Sequence, residues 1–331
     1  MKIDIFNHVL PPRYVDASRK KAARPLPFDF QMKKFPALTD MESRFRMMDA
    51  AGELRQILSM ANPPLEGLFS PADAVELYRV GNDELAELVV SHPDRFAGAV
   101  AAVPMEDVDA AVAEIDRAVG ELHLRGIQLY TDIDGRPLDD PRFEPVFAKM
   151  AEVDLPILLH PARGPGFADY PTEDASKYEI WRVFGWLYDT AAAVSRLVFA
   201  GIFDRYPDIK IVTHHLGGII PYADLRIEEG FSKVVKQAEA SGRPLALEKH
   251  PYDYYRMLYA DTITVGSVPA LQCGLSFFGA ERVLFATDMP FDVEGGAKYL
   301  REALRAMNEI DIPAEDKKKI YEDNARVLFK I

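Results

Sequence analysis

Four residues that can bind a metal ion or move a proton lie at the ends of predicted β-strands. They are His8 in IDIFNHV, His160 in PILLHP, His215 in IVTHHLGG and Asp288 in LFATDMP. Two imidazoles and one carboxylate form a common ligand set for a catalytic Zn²⁺ that keeps a fourth position for water. A further imidazole is well suited to proton transfer near neutral pH. The residue types therefore indicate metal-assisted or acid–base chemistry.

Each of these residues also has an ordinary structural explanation. A histidine at a strand end is often only a polar residue at a rim, and Asp288 can be the N-cap of the next helix. The pair Gly217 and Gly218, just after His215, can form a simple tight turn. The occurrence of four such residues at strand ends favours a functional site over four separate coincidences.

The elements that carry these residues alternate between strand and helix. Strand candidates cover residues 2–9, 55–61, 97–103, 125–131, 156–160, 209–214, 257–263 and 282–287, and amphipathic helix candidates cover residues 71–92, 107–121, 141–153, 189–205, 222–240 and 294–308. Eight strands, each followed by a helix or a long connection, predict an α/β fold of the (β/α)₈ or TIM-barrel type. A doubly wound open sheet is the alternative, but no glycine-rich fingerprint follows the first strand.

The chain shows no obvious domain boundary. Because no repeat, low-complexity run or Gly/Ser linker interrupts it, residues 1–331 are expected to form a single barrel domain. Residues 11–40 and 162–188 are too long for simple connections. We expect these two segments to cap the mouth of the barrel, where the side chains at the carboxyl ends of the strands cluster.

Composition and charge exclude several classes of protein. The 331 residues carry a net charge of −13 without a basic stripe, which argues against binding to nucleic acid. No apolar run approaches the ~18 residues that a membrane-spanning helix needs. The single cysteine, Cys273, excludes an intramolecular disulfide and a thiolate metal cage. A cytoplasmic protein with a small-molecule partner is the expectation.

Several motifs, in order along nearly the whole chain, resemble the amidohydrolase-related family. They are MKIDIFNHVLP, HPDRFAGAVAAVP, RGIQLYT, PILLHP, GIFDRYPDIKIVTHHLGG, RVLFATDMPF and DNARVLF. The resemblance implies a deformed (β/α)₈ barrel that holds one divalent metal ion, usually Zn²⁺. It further implies a decarboxylase or a related hydrolase that acts on a small carboxylated substrate, aromatic or ring-cleaved. The scaffold also hosts hydratases, so the motifs do not identify the reaction.

The resemblance also suggests a role for each strand-end residue. It implies that His8, His160 and Asp288 bind the metal, and that His215, followed at a short distance by two glycines, is the general acid/base. Asp288 has a second implied role, because a carboxylate that holds the cation can also accept a hydrogen bond from bound water. His214 is an additional neighbour, expected to point to the opposite side of the strand if the strand stays regular.

One position departs from the family pattern. The first strand of the family normally carries two ligands, in an HxH or ExH motif, and here Phe6 occupies the first of them. Phe6 and His8, two residues apart on a strand, must share one face. Two outcomes stay open. Either the three remaining ligands bind the ion with water in the fourth position, or the site holds no ion and the histidines act alone.

The segment after the fifth strand supplies candidates for substrate binding. Arg163 lies three residues past His160 and can bind a substrate carboxylate in bidentate fashion, although an ion pair with Asp169 or Glu173 is the alternative. The aromatic residues that follow are Trp181, Phe184, Trp186 and Tyr188. These rings are candidates either for lining a pocket for a planar substrate or for ordinary core packing.

Three functional hypotheses therefore remain. The first is a metal-dependent decarboxylase or hydrolase. The second is a metal-free hydrolase or hydratase that relies on acid–base histidines, and the third is a non-catalytic barrel that binds a ligand. The resemblance allows a homodimer, because members of the family are commonly dimers.

Overall fold

The computed structural model describes residues 1–61 and 64–331. The strands are β1 (Lys2–Val9), β2 (Leu54–Met60), β3 (Phe96–Ala99), β4 (Ala101–Ala102), β5 (Ile127–Tyr130), β6 (Asp132–Ile133), β7 (Arg136–Pro137), β8 (Ile157–His160), β9 (Ile211–Thr213), β10 (Tyr259–Asp261) and β11 (Val283–Leu284). Except for the antiparallel pair β6–β7, all strand pairs are parallel. The eight predicted strands are all found, and β3 and β4 together form one of them.

The parallel strands follow each other around a ring. One sheet has the order β1-β2-β3 and the other has the order β11-β10-β9-β8-β5-β4. Val100 links β3 to β4, and its N–H donates to the Leu58 carbonyl. On the other side, the Ile5 N–H donates to the Phe285 carbonyl and the Asp288 N–H to the Phe6 carbonyl, both at 3.0 Å. These bonds place β1 beside the segment after β11, as a (β/α)₈ barrel requires.

Helices occupy the connections between the strands. They are α1 (Pro12–Lys21), α2 (Pro27–Lys34), α3 (Met41–Ala50), α4 (Pro71–Ser91), α5 (Val108–Gly120), α6 (Glu144–Val153), α7 (Ile180–Val183), α8 (Gly185–Phe199), α9 (Ile202–Arg205), α10 (Asp224–Ala240), α11 (Pro251–Tyr255), α12 (Val268–Phe278), α13 (Ala297–Glu309), α14 (Ala314–Lys318) and α15 (Asn324–Phe329). The Ser70 side chain caps α4 by accepting from the Asp73 N–H. None of the helices in the described ranges combines the length and apolar character that crossing a membrane requires.

Some predicted boundaries shift because the chain leaves the regular pattern. The helix predicted over 189–205 begins at Gly185 and is interrupted at Gly201, which has a left-handed φ of 73°. The strand predicted over 282–287 pairs regularly only over Val283–Leu284. Beyond it, the Phe285 N–H donates to the Ile320 carbonyl instead of to a neighbouring strand.

Apolar side chains fill the interior of the barrel at the end opposite its carboxyl-terminal rim. Residues such as Ile5, Ile57 and Leu284 meet Leu328 and Phe329 of the C-terminal helix in one buried cluster. A larger cluster fills the space between the strands and the surrounding helices. Because the lower part of the barrel is closed by this packing, polar side chains can meet only nearer its upper, carboxyl-terminal rim.

A buried arginine anchors the backbone of β1 below that rim. The guanidinium of Arg44 donates to Asn7 Oδ1 at 3.0 Å, to Gln56 Oε1 at 2.7 Å and to the His8 carbonyl. Gln56 Nε2 in turn donates to Asp4 at 3.0 Å. Burial raises the pKa of Asp4 to about 7, against the opposing effect of its hydrogen bonds and of Arg44. Arg44 therefore supplies hydrogen bonds and positive charge to buried oxygens that have no access to water.

Arg44→Met is expected to lower the free energy of unfolding by about 3–5 kcal/mol, because it leaves buried hydrogen-bonding groups and a carboxyl group without their cation. Urea unfolding of both proteins measures the difference. Arg46→Met is the matched control, since the side chain of Arg46 lies on the same helix but is exposed. Equal loss of stability in both variants would contradict the anchoring role.

Candidate metal centre

The four residues predicted from the strand ends lie close together. His8 is on β1, His160 ends β8, and the other two follow β9 and β11. His8 Nε2 is 3.2 Å from Asp288 Oδ1, and His215 Nε2 is 4.0 Å from Asp288 Oδ2. The ring centroids of His8 and His160 are 5.7 Å apart, and those of His160 and His215 are 6.2 Å apart. Side chains from distant parts of the sequence thus surround one point.

Phe6 and His214 also border this point. As predicted, Phe6 shares a face with His8, and their ring centroids are 5.6 Å apart. The expectation that His214 points away was wrong. Its ring centroid lies 3.9 Å from that of Phe6 and 4.8 Å from that of His160, and its Nε2 is 3.5 Å from Asp288 Oδ1.

The turn after β9 explains why both neighbouring histidines face the site. The strand ends at Thr213, but His214 is still extended, with φ of −74° and ψ of 158°, so its side chain lies on the same interior side as that of Val212. His215 and Leu216 have left-handed φ values of 53° and 55°. Gly218 also has a positive φ, and a Cβ there would lie 2.4 Å from the Leu187 carbonyl oxygen, so the turn requires glycine.

Two overlapping groups of side chains can hold a metal ion. One consists of His8, His160 and His214, and the other of His214, His215 and Asp288. Within each group, one ligand atom from every residue lies within 4.8 Å of the others. His214 is the member that both groups share.

Neighbouring oxygens fix the tautomer of three of these imidazoles. His160 Nδ1 is 2.7 Å from the Pro161 carbonyl, His214 Nδ1 is 2.7 Å from Asp261 Oδ2, and His8 Nδ1 is 3.3 Å from Ser59 Oγ, whose own proton goes to the Asn7 carbonyl. All three oxygens accept, so Nδ1 carries the proton in each ring. In the neutral form of each ring, the lone pair of Nε2 is left for a ligand, which is how metal-binding histidines are usually oriented.

The charges of the site also suit a cation. Burial, reinforced by the neighbouring imidazoles, lowers the pKa of His8, His160 and His215. Burial alone would raise the pKa of Asp288, but hydrogen bonds and charge from the histidines outweigh it and hold that pKa well below its usual range. Neutral imidazoles and an ionised carboxylate are the forms that bind metal.

The short distance between His8 and Asp288 also favours a bound cation. His8 Nε2 lies 3.2 Å from Asp288 Oδ1, which is a hydrogen bond if Nε2 carries a proton and a contact of two acceptors if only Nδ1 does. Two acceptors at this distance repel each other unless a proton or a metal ion lies nearby. The residues present therefore fit a bound divalent cation.

His214 is the exception among the imidazoles. Burial alone would lower its pKa, but Asp261 and Asp288 outweigh burial and raise the pKa to about 9. The carboxylate of Asp261 was not among the predicted site residues, because it lies two residues before the end of the strand predicted over 257–263. The observed strand β10 ends at Asp261, which places its carboxylate at the same rim.

The segment after β8 brings aromatic residues to the site. The Trp186 ring is stacked on His215 with centroids 5.5 Å apart, and its Nε1 donates to the Arg163 carbonyl at 2.8 Å. Phe184 and Tyr188 are instead exposed at the surface. Of the predicted pocket aromatics, Trp186 is the one that contacts the clustered histidines directly.

Arg163 does not form the ion pair that sequence reasoning allowed. In the described ranges, no carboxylate of Asp169 or Glu173 lies within 4.0 Å of its guanidinium, which instead covers the Phe167 ring at 3.8 Å from the centroid. Its Nε is buried without a hydrogen-bond partner among the described residues. The guanidinium therefore makes no close ion pair with a carboxylate in the described part of the chain.

A separate cavity of about 640 Å³ lies at the surface. It is bordered by Lys21, Asp73, Glu106, Arg136 and Arg142 among others, and by none of the clustered histidines. We place the chemistry at the histidine cluster, because only there do ligand atoms with open lone pairs converge among the described residues.

The sequence of the chain was compared with those of known proteins. The family model described as Amidohydrolase matches residues 3–331. The chain is 31% identical to a γ-resorcylate decarboxylase of Rhizobium sp. (strain MTP-10005), over 92% of either chain. It is 27% identical to 2-amino-3-carboxymuconate-6-semialdehyde decarboxylase of Dictyostelium discoideum, over 88% of this chain and 82% of that one.

A solved structure extends the comparison to three dimensions. It is 5-carboxyvanillate decarboxylase from Novosphingobium aromaticivorans DSM 12444, complexed with manganese and 4-hydroxy-3-methoxy-5-nitrobenzoic acid. The match has a TM-score of 0.84 and 28% identity, and it covers 100% of this chain and 96% of that chain. The predicted barrel fold and the predicted family are both confirmed. The chain belongs to the amidohydrolase family.

Proposed function

We propose that this protein is a metal-dependent, non-oxidative decarboxylase that acts on a small aromatic carboxylate. The observation that carries the proposal is the convergence of three oriented imidazoles, a further histidine and an ionised carboxylate around one point. Its relatives are decarboxylases of aromatic or ring-cleaved acids. The sequence-based hypotheses of a metal-free enzyme and of a binding barrel become outcomes of the tests below.

His8, His160 and Asp288 would hold the ion from three strands of the barrel. A bound divalent cation would orient the oxygens of an acidic substrate and supply positive charge for the electrons that decarboxylation leaves behind. Imidazole ligands suit Zn²⁺, the ion predicted from the sequence, whereas the crystallised relative contains manganese. Both ions are therefore needed in any test.

His215 is the proposed proton donor. It protonates the ring carbon that bears the carboxylate; the bond between that carbon and the carboxylate then breaks, CO₂ leaves, and the bonding electrons restore the aromatic ring. Burial keeps the pKa of His215 low, but an anionic substrate a few ångströms away favours the imidazolium form. Asp288, 4.0 Å away, stabilises the same charge.

Arg163 is the proposed anchor for a substrate carboxylate, and Trp186 is the proposed wall against which a planar ring stacks. Arg163→Gln is expected to raise KM about 10–100-fold with little change in kcat, because a charge-assisted hydrogen bond to the bound substrate is lost in ground state and transition state alike. Steady-state kinetics measure both constants.

Arg182→Gln is the control for Arg163→Gln. Arg182 belongs to the same connection, but its guanidinium is paired with Glu179 at 2.6 Å on the surface. If both variants keep the KM of the original protein, Arg163 does not contact substrate.

A direct assay tests the proposed reaction. Protein loaded separately with Mn²⁺ and with Zn²⁺ is incubated with a panel of hydroxybenzoates, and CO₂ and the decarboxylated phenol are quantified. Equimolar formation of both supports the proposal. Cleavage of esters or lactones without CO₂ release would show a hydrolase, and no turnover of any compound would favour a ligand-binding barrel.

We also propose that the two long segments cap the site within one domain spanning residues 1–331. Support comes from Trp186 in the second segment, and from Phe35 in the first. Phe35 packs on Phe291 at 5.3 Å, and Phe291 contacts the His8 ring at 5.2 Å between centroids. The second segment thus contacts the clustered histidines directly, and the first packs against them through Phe291.

A cytoplasmic homodimer is the assembly that we propose. Large apolar side chains lie exposed on and near the second cap segment, including Tyr178 at 90% and Tyr222 at 89% exposure. Exposed apolar surface of this kind is favourable for association between protein chains.

A further inference from the structure

We propose that His214 is itself a metal ligand, and that it supplies the donor that the first strand lacks at Phe6. The inference rests on the metal site of the proposed function and adds a residue to it. Of the two positions of β1 that face the site, only His8 offers a lone pair. The missing donor has to come from another strand if the ion is to have a further protein ligand.

His214 has the position of such a donor. It is the residue common to both groups that can hold a metal, so its ligand atom lies within 4.8 Å of those of His8, His160 and Asp288. Its side chain is completely buried. Its Nε2 makes no hydrogen bond of regular geometry in the described part of the chain, and its contact with Asp288 Oδ1 is long, at 3.5 Å. A buried nitrogen that is so weakly satisfied gains from a bound cation.

Asp261 fixes the orientation of His214. Its Oδ2 is 2.7 Å from His214 Nδ1, so the ring cannot turn without losing this bond. The carboxylate itself is held by the N–H groups of His215 at 3.1 Å, Leu216 at 2.8 Å and Ile263 at 2.9 Å. A carboxylate that accepts from the second nitrogen of a histidine is the usual support of a metal-binding imidazole.

Phe6 has a packing role in this arrangement. Its ring lies 3.9 Å from the His214 ring, at an angle of 32° between the planes, and it is completely buried. The phenyl group therefore fills the space beside the imidazole and limits its movement. The loss of a donor on β1 and the presence of a donor after β9 are thus structurally linked.

The two neighbouring histidines, His214 and His215, then have different roles. His214 is held by Asp261 and directed at the ligand group, whereas His215 Nδ1 has no partner among the described residues and its ring stacks on Trp186. His215 thus stays available for proton transfer. The ion then has His8, His160, His214 and Asp288 as protein ligands.

Metal affinity tests the inference without any assay of activity. Protein stripped with a chelator is titrated with Mn²⁺, and free Mn²⁺ is followed by electron paramagnetic resonance. His214→Ala is expected to weaken binding at least ~100-fold, and Asp261→Asn, which keeps the shape but removes the charge of the support, by about 10–100-fold. The matched control is His215→Ala, for which we expect a change smaller than about 3-fold because the ring of His215 is not a ligand.

Two further measurements distinguish a lost ligand from a disturbed fold. In the double variant Phe6→His/His214→Ala, the donor returns to β1, and affinity is expected to recover at least ~10-fold relative to His214→Ala. Co²⁺-loaded protein should show an altered visible spectrum in His214→Ala and an unaltered spectrum in His215→Ala, since these bands report on the ligands and geometry of the ion. If His214→Ala fails to fold, the Mn²⁺ affinity and the Co²⁺ spectrum of Asp261→Asn decide.

The outcomes separate this inference from the proposed reaction. Unchanged Mn²⁺ affinity in His214→Ala would overturn the ligand role while leaving decarboxylation untouched. A protein that binds no Mn²⁺ or Zn²⁺ would overturn it as well. Affinity that depends on His214, in a protein that releases no CO₂ from aromatic acids, would support the ligand role and reject the reaction.

Discussion

His215→Asn is expected to lower kcat for decarboxylation by about 10²–10⁴-fold, the usual contribution of a positioned proton donor. The asparagine side chain cannot deliver a proton to the ring carbon, although it occupies similar space beside Trp186. Because His215 is not a proposed ligand, the metal content should remain close to that of the original protein. Steady-state kinetics and elemental analysis on the same samples measure both quantities.

The comparison with His214→Ala strengthens this test. That variant should lose rate together with metal, and excess Mn²⁺ should restore part of the rate, whereas no metal concentration should rescue His215→Asn. A His215→Asn protein that retains its original kcat would show that another group moves the proton.

Removal of the metal ion is expected to have the second large effect. Stripping with a chelator should lower the rate by about 10³-fold or more, because several kcal/mol of transition-state stabilisation depend on the charge of the ion. Adding Mn²⁺ or Zn²⁺ back should restore activity in proportion to the amount bound. The measurement is CO₂ release against metal content across a reconstitution series.

Asp288→Asn is the companion variant to metal removal. It keeps the size of the side chain but removes the negative charge of the carboxylate, whose Oδ1 lies 3.2 Å from His8 Nε2 and 3.5 Å from His214 Nε2. We expect weaker metal binding and loss of rate. Full activity after complete stripping would instead establish the metal-free acid–base hypothesis that Phe6 left open.

Much of the fold, and the family, could be predicted from the sequence alone. Strands could be predicted because apolar runs and alternations are local patterns, and because all parallel strands of a barrel end on one side. For that reason, His8, His160 and Asp288 could be assigned to one rim without coordinates. The motifs around them predicted the family, which the match over residues 3–331 confirms.

Other features could not be predicted from local patterns. The chain turns through the left-handed residues His215 and Leu216 directly after the extended His214, so the two neighbouring histidines do not point to opposite sides. The bonds from Arg44 to β1 join positions 36 and 37 residues apart. These features depend on backbone turns and on contacts across the fold.

The sequence by itself thus determined the barrel and the four strand-end residues, through strand periodicity and a shared barrel rim, and it determined the family through the resemblance of its motifs. Only the tertiary structure decided that His214 faces the same point as those four, that Asp261, 47 positions away, holds its ring, and that Phe6 packs against it. The physical reason is that the orientation of an imidazole is set by its hydrogen-bond partner and its packing, which come here from different strands.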